Sequence, residues 1–66
     1  MKELIGKKCS ITILTKHNNT RLFFTGTIIS VTDLHFSFID IYGLSQTFKV
    51  DDIERISEVS KDDKYQ

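Results

Sequence analysis

Apolar and polar residues alternate from Lys8 to Thr15, with Cys9, Ile11 and Ile13 on one side of the chain and Ser10 and Thr12 on the other. A period of two predicts a strand with one buried face. His17-Asn18-Asn19-Thr20 interrupts it and reads as a turn, because Asn tolerates left-handed backbone and can bond its own main chain. Arg21 to Thr32 predicts a long second strand. Leu22 and Phe24 share a face before Gly26, while Ile28, Ile29 and Val31 are apolar on both faces after it. Glycine within a strand often marks a bulge or sharp bend where backbones approach closely, and such a bend would let one strand serve two sheets. Past Thr32-Asp33-Leu34, a third strand is predicted over His35 to Tyr42, where Phe36 and Phe38 share a face and Ile39 and Ile41 take the opposite one. Gly43-Leu44-Ser45 then turns the chain into a fourth strand, Gln46 to Val50, with Phe48 and Val50 inward. Asp51-Asp52 are expected to cap a single helical turn, and Ile53 opens a fifth strand ending near Val59.

Five short strands with tight connections and one bent long strand predict an all-β fold, a small and strongly bent five-stranded barrel. Residues 1–59 form its single domain. From Ser60 to Gln66 only Tyr65 is apolar, so 60–66 are expected to be a flexible tail.

Composition agrees. Ile, Val and Thr supply 19 of 66 positions and Phe plus Tyr another 7, with no Ala, Pro or Trp, which argues against a helical bundle. A chain this short buries only roughly 60% of its unfolded surface, so added burial is expected. Cys9 is the single cysteine, which excludes an internal disulfide, and no Cys and His cluster offers a structural zinc site. Oligomerisation is the remaining common route, and a homo-oligomer is expected.

Nine Lys and Arg balance nine Asp and Glu, so there is no global field to draw in a polyanion. Residues 1–21, however, carry Lys2, Lys7, Lys8, Lys16 and Arg21 against Glu3. Phosphate contacts and a merely solvated surface are both open readings of that basic third. Charges flank the Leu4-Ile5 pair near the start, unlike the core of a secretion signal, and the longest apolar run is Leu22 to Phe24. A cytoplasmic chain with no membrane association is the expectation.

Candidate chemistry is sparse. Cys9 has the parity of Ile11 and Ile13 and reads as a core filler rather than a nucleophile. Asp51 and Asp52 are adjacent and point apart in extended chain, and no glycine-rich phosphate loop is present, so neither an enzyme nor a cofactor is expected. His35 shares the polar face of its strand with Ser37, where an imidazole can stack on a base or donate to a phosphate. Phe23, opposite in parity to Leu22 and Phe24, reads either as a stacking platform or as a residue buried between subunits.

The order strand, turn, bent strand with glycine, short turn and three further strands resembles the Sm-like (LSm and Hfq-type) family over residues 8–59. The family's first motif, apolar-x-Gly-x-apolar followed by Asp-x-aromatic or His-apolar-Asn, is matched by Phe24-Thr25-Gly26-Thr27-Ile28 and Asp33-Leu34-His35-Phe36-Ser37. Its second, apolar-Arg-Gly-x-x-Ile, is matched by Phe48-Lys49-Val50-Asp51-Asp52-Ile53. The resemblance implies an RNA-binding oligomer. His35 would take the base-stacking place, Ser37 that of a uridine-reading Asn, and Lys49 that of a stacking Arg. Lys8, Lys16 and Arg21 would add phosphate contacts. Ser offers one hydroxyl where Asn offers an amide, and Lys lacks the planar guanidinium. A second reading keeps the barrel but makes it a protein-interaction or regulatory module with a protein partner and no nucleic acid.

Overall fold

The computed structural model describes residues 1–59. It is all-β, one antiparallel five-stranded sheet with no α-helix among the described residues. The strands are β1 (Lys8–Thr15), β2 (Thr20–Val31), β3 (His35–Asp40), β4 (Ser45–Lys49) and β5 (Ile53–Glu58), in the order β4-β3-β2-β1-β5. β4 and β5 each have one neighbour, so the ladder is not closed. The sheet nevertheless curls. Phe24 of β2 meets Phe48 of β4 at a ring separation of 5.4 Å, although β3 lies between their strands.

The alternation in β1 is realised as predicted. Cys9, Ile11 and Ile13 are buried, and they form the core with Ile28, Phe36 and Phe38. Leu22, Phe24, Val31, Phe48, Val50, Ile53 and Ile56 pack around it, as do Met1 and Leu4 from a single 3₁₀ turn at Lys2–Leu4 that the pattern did not anticipate. Asn19 takes the left-handed conformation expected of the turn, with φ of 58°.

Gly26 and the irregularity in β2 are separate features. An added Cβ at Gly26 would lie 2.5 Å from the Ile39 carbonyl oxygen, so glycine is there for close approach of β3. The register shift against β3 lies between Ile28 and Ser30, at Ile29. Ile29 has no opposite number, and after it Val31 faces inward beside Phe36. This bulge, not a bend at the glycine, accounts for apolar residues of both parities in β2.

β3 ends two residues earlier than predicted. The Asp40 carboxylate accepts the backbone N–H groups of Tyr42 and Leu44, both at 2.9 Å, and the Gln46 amide at 3.2 Å, which turns the chain out of the sheet. Ile41 is therefore not a strand residue sharing a face with Ile39; it is 60% exposed in the connecting turn. β4 begins and ends one residue earlier than expected. Asp51 and Asp52 lie in a 3₁₀ turn, Val50–Asp52, as expected, but they do not cap it: Lys49 holds the capping position and no side chain bonds there. The expected flexible tail, 60–66, lies outside the described residues.

Candidate nucleic-acid interface

The inward side chains of the strands are fixed by the core, so the pairing registers define what the other side of the sheet carries. Outward residues include Lys8, Ser10 and Thr12 on β1, Arg21, Phe23, Thr25 and Thr27 on β2, and His35, Ser37 and Ile39 on β3. β4 adds Ser45, Thr47 and Lys49, and β5 adds Arg55 and Ser57. The face is therefore basic and hydroxyl-rich. It holds Lys8, Arg21, Lys49 and Arg55, with His35, and Glu54 at the β5 bulge is the acid beside them, in a chain whose formal net charge is zero. The charge balance computed over the whole chain concealed this segregation; applying strand parity to the charged residues would have revealed it.

Three of the residues singled out from sequence come together. His35 lies directly opposite Lys49 across the β3–β4 pair, and Ser37 lies opposite Thr47 one step further along the same face. Ser37 and Thr47 share a hydrogen bond of 2.8 Å between their hydroxyls. The backbone of His35 is held by the preceding turn: its N–H donates to Thr32 Oγ1 at 3.0 Å, and its carbonyl accepts the Thr32 N–H at 2.8 Å. His35 and Lys49 are both exposed.

Lys8, Lys16 and Arg21 do not join that cluster. Lys8 is on the same face but on β1, opposite Thr27, and Lys16 sits in the β1–β2 turn at the far end of the hairpin. Arg21 is separated from Val31 along β2 by roughly 30 Å of strand. Its guanidinium makes a two-pronged contact with Glu54, Nε to Oε1 at 2.6 Å and Nη2 to Oε2 at 3.0 Å. That hydrogen bond holds the Glu54 carboxyl below its usual range and raises the Arg21 pKa. Lys7, also in the basic third, pairs with Glu58 at 3.6 Å. A second element missed from sequence is Arg55, which makes no ion pair among the described residues and lies opposite Thr12 beside Phe23.

Because Arg21 is neutralised by Glu54, Glu54→Gln is expected to release it for phosphate contact. If this face contacts RNA, affinity at low salt should rise, and the slope of log K against log salt should steepen by about 0.7, the value of one added single-strand phosphate contact. A salt titration of both proteins checks this; an unchanged slope would show that Arg21 takes no part. The ion pair itself follows the depressed-carboxylate pattern, present above the unfolded pKa of Glu54 and lost as pH falls through its lower folded pKa.

Among the described residues no group of three or more His, Cys, Asp or Glu is arranged to hold a metal ion. No helix among the described residues is long and apolar enough to cross a membrane. The Cys9 thiol is buried, and desolvation raises its pKa, the direction that makes a thiol inert. Comparison with family models, curated proteins and solved structures gives no match to this chain.

Proposed function

We propose that this chain is a non-catalytic binding module on a small bent barrel of Sm-like type, contacting single-stranded RNA through the outward face of its sheet as part of an oligomer. The observation that carries the reading is the charge segregation on that face, with Lys8, Arg21, Lys49 and Arg55 against Glu54 at zero formal net charge. The second strand, with Gly26 and a bulge at Ile29, and the His35–Lys49 juxtaposition support it further. In this reading Lys49 and His35 take a phosphate and a base, the Ser37–Thr47 hydroxyl pair reads a base edge or a ribose, and Lys8, Lys16 and Arg55 follow the backbone.

Anisotropy titration of short U-rich and A-rich RNAs at about 50 and 200 mM salt tests it. Three or four phosphate contacts predict a slope of log K against log salt of about −2 to −3. Lys49→Ala and Arg55→Ala are each expected to flatten it by about 0.7. No binding at the lower salt would sink the proposal.

The protein-interaction reading is favoured by a different observation, the exposure of Phe23, Ile41 and Tyr42 at 74%, 60% and 81%. Absorbance at 260 against 280 nm on freshly purified protein separates the two, because two Tyr and no Trp leave the chain itself weakly absorbing.

A further inference from the structure

β3 stops at Asp40, opposite Gly26, so among the described residues Thr20 to Thr25 of β2 are paired with β1 on one side and with no strand on the other. An open edge of this kind presents unpaired backbone N–H and C=O groups and is a template for another strand. A cleft of about 310 Å³ adjoins it, lined by Ser10 of β1, by Phe23, Phe24 and Thr25 of β2, and by Asp40, Ile41 and Tyr42.

We infer that β2 of a second copy fills this slot, the two strands running antiparallel about a two-fold axis at Phe23. The inference deepens the oligomeric part of the reading above, naming the surface and the partner, and is independent of RNA binding.

The register follows from burial. A two-fold axis requires antiparallel strands and a self-complementary segment. Leu22 and Phe24 are half-buried on the inward side while Phe23 is outward, so the inward side of one copy must continue into the inward side of the other. Pairing Phe23 with Phe23, Leu22 with Phe24 and Arg21 with Thr25 does this. A slip of one residue would set apolar inward side chains against outward polar ones. The match is also bounded. Thr20 of one copy comes level with Gly26 of the other, where β3 takes over the pairing. Beyond that point the Lys16–Asn19 turn of each copy passes over Ile41 and Tyr42 of the other.

The exposed apolar surface beside this edge comes mainly from two aromatic rings. Phe23 and Tyr42 together leave about 300 Å² open, given roughly 150–250 Å² for a buried aromatic side chain. Ile41 and the main chain of the β2 edge extend this towards the ~800 Å² per partner of a standard interface. Zero formal net charge leaves no long-range repulsion between copies. The outer edges of β4 and β5 are open too, but neither strand carries an exposed large apolar residue. Pairing through β2 would also join the two outward faces into one basic surface, on the same side of a continuous sheet.

Light scattering is expected to return twice the 7.6 kDa of one chain. Phe23→Lys, at an exposed position, is expected to halve that mass without changing the circular dichroism spectrum, and Ile41→Lys, outside the strands, to do the same. Phe23→Cys should form a covalent dimer on mild oxidation, because directly opposite residues of an antiparallel pair have Cα atoms ~4.5–5.5 Å apart, within disulfide reach. Cys9 is buried and does not compete. Thr47→Cys on β4 should not cross-link. A wild-type monomer, a larger ring whose mass survives both Lys variants, or a dimer in which Phe23→Cys fails to cross-link overturns the inference. Absence of RNA binding by an intact dimer would count against the RNA reading alone.

Discussion

Gly26→Ala is expected to cost about 3 kcal/mol or more and to lower the melting temperature by roughly 12–24 °C, the largest effect of alanine at any of the three glycines. The new Cβ would sit 2.5 Å from the Ile39 carbonyl oxygen, 2.8 Å from Phe38 Cδ2 and 3.1 Å from the Asp40 Cα. Two of those three atoms are backbone of the paired strand, so relief requires β2 and β3 to separate and not merely a side chain to rotate. A chain of 66 residues has a total stability of order 3–10 kcal/mol, so the variant sits at the edge of folding at room temperature. Gly43→Ala is the control. Gly43 has φ of +83° but nothing within 4 Å of an added Cβ, so its cost is backbone strain alone, about 1–2 kcal/mol. Thermal melts of the three proteins decide the matter. Equal losses for the two variants would mean that close approach at Gly26 contributes nothing beyond ordinary glycine conformation.

That contrast also marks how far sequence reasoning reached. From sequence the glycine reads as a bulge or sharp bend where backbones approach closely, and nothing in Phe24-Thr25-Gly26-Thr27-Ile28 separates the close approach from the irregularity. The distinction depends on which residue of β3 lies opposite, and that register is set by long-range pairing with a bulge at Ile29. β1 was legible to the residue because its alternation is uninterrupted and both its neighbours pair along it. The end of β3 was not. Asp40 looks like any polar residue between two isoleucines, and its role appears only when its carboxylate is seen accepting from Tyr42, Leu44 and Gln46.

The candidate site divides along the same line. His35, Ser37 and Lys49 came together because they lie on adjacent, regularly paired strands, where parity read from sequence is a reliable guide to the face. Lys16 and Arg21 did not join them, since closeness in sequence to a basic segment says nothing about which end of a long hairpin a residue occupies. The Arg21–Glu54 pair spans from β2 to β5 across β1, and a sequence without a register cannot anticipate it.

Phe38→Ala is expected to cost about 3–5 kcal/mol, enough to populate the unfolded state without denaturant. Phe38 is fully buried, and its ring lies 5.2 Å from Phe24, 5.7 Å from Phe36 and 6.1 Å from Phe48, so it joins β2, β3 and β4 in one aromatic cluster. Each such pair adds about 0.5–1.5 kcal/mol beyond area burial, and truncation forfeits all three together with the lost volume. Phe38→Leu keeps most of the apolar volume and should cost about half as much. Urea titration followed by circular dichroism is the measurement: with m near 1 kcal/mol/M for a domain of this size, the midpoint should fall by several molar units for Ala and by about half that for Leu. A loss below about 1.5 kcal/mol for Phe38→Ala would show that the cluster can collapse around the cavity and that the curl of the sheet does not depend on it. If the loss is as large as expected, RNA binding should disappear with the fold, because the β3–β4 register that sets His35 against Lys49 rests on Phe36, Phe38 and Phe48 beneath it. Lys49→Ala, by contrast, would remove the phosphate contact proposed for it and leave the melt unchanged, and this dissociation separates loss of the proposed interface from loss of the fold that presents it.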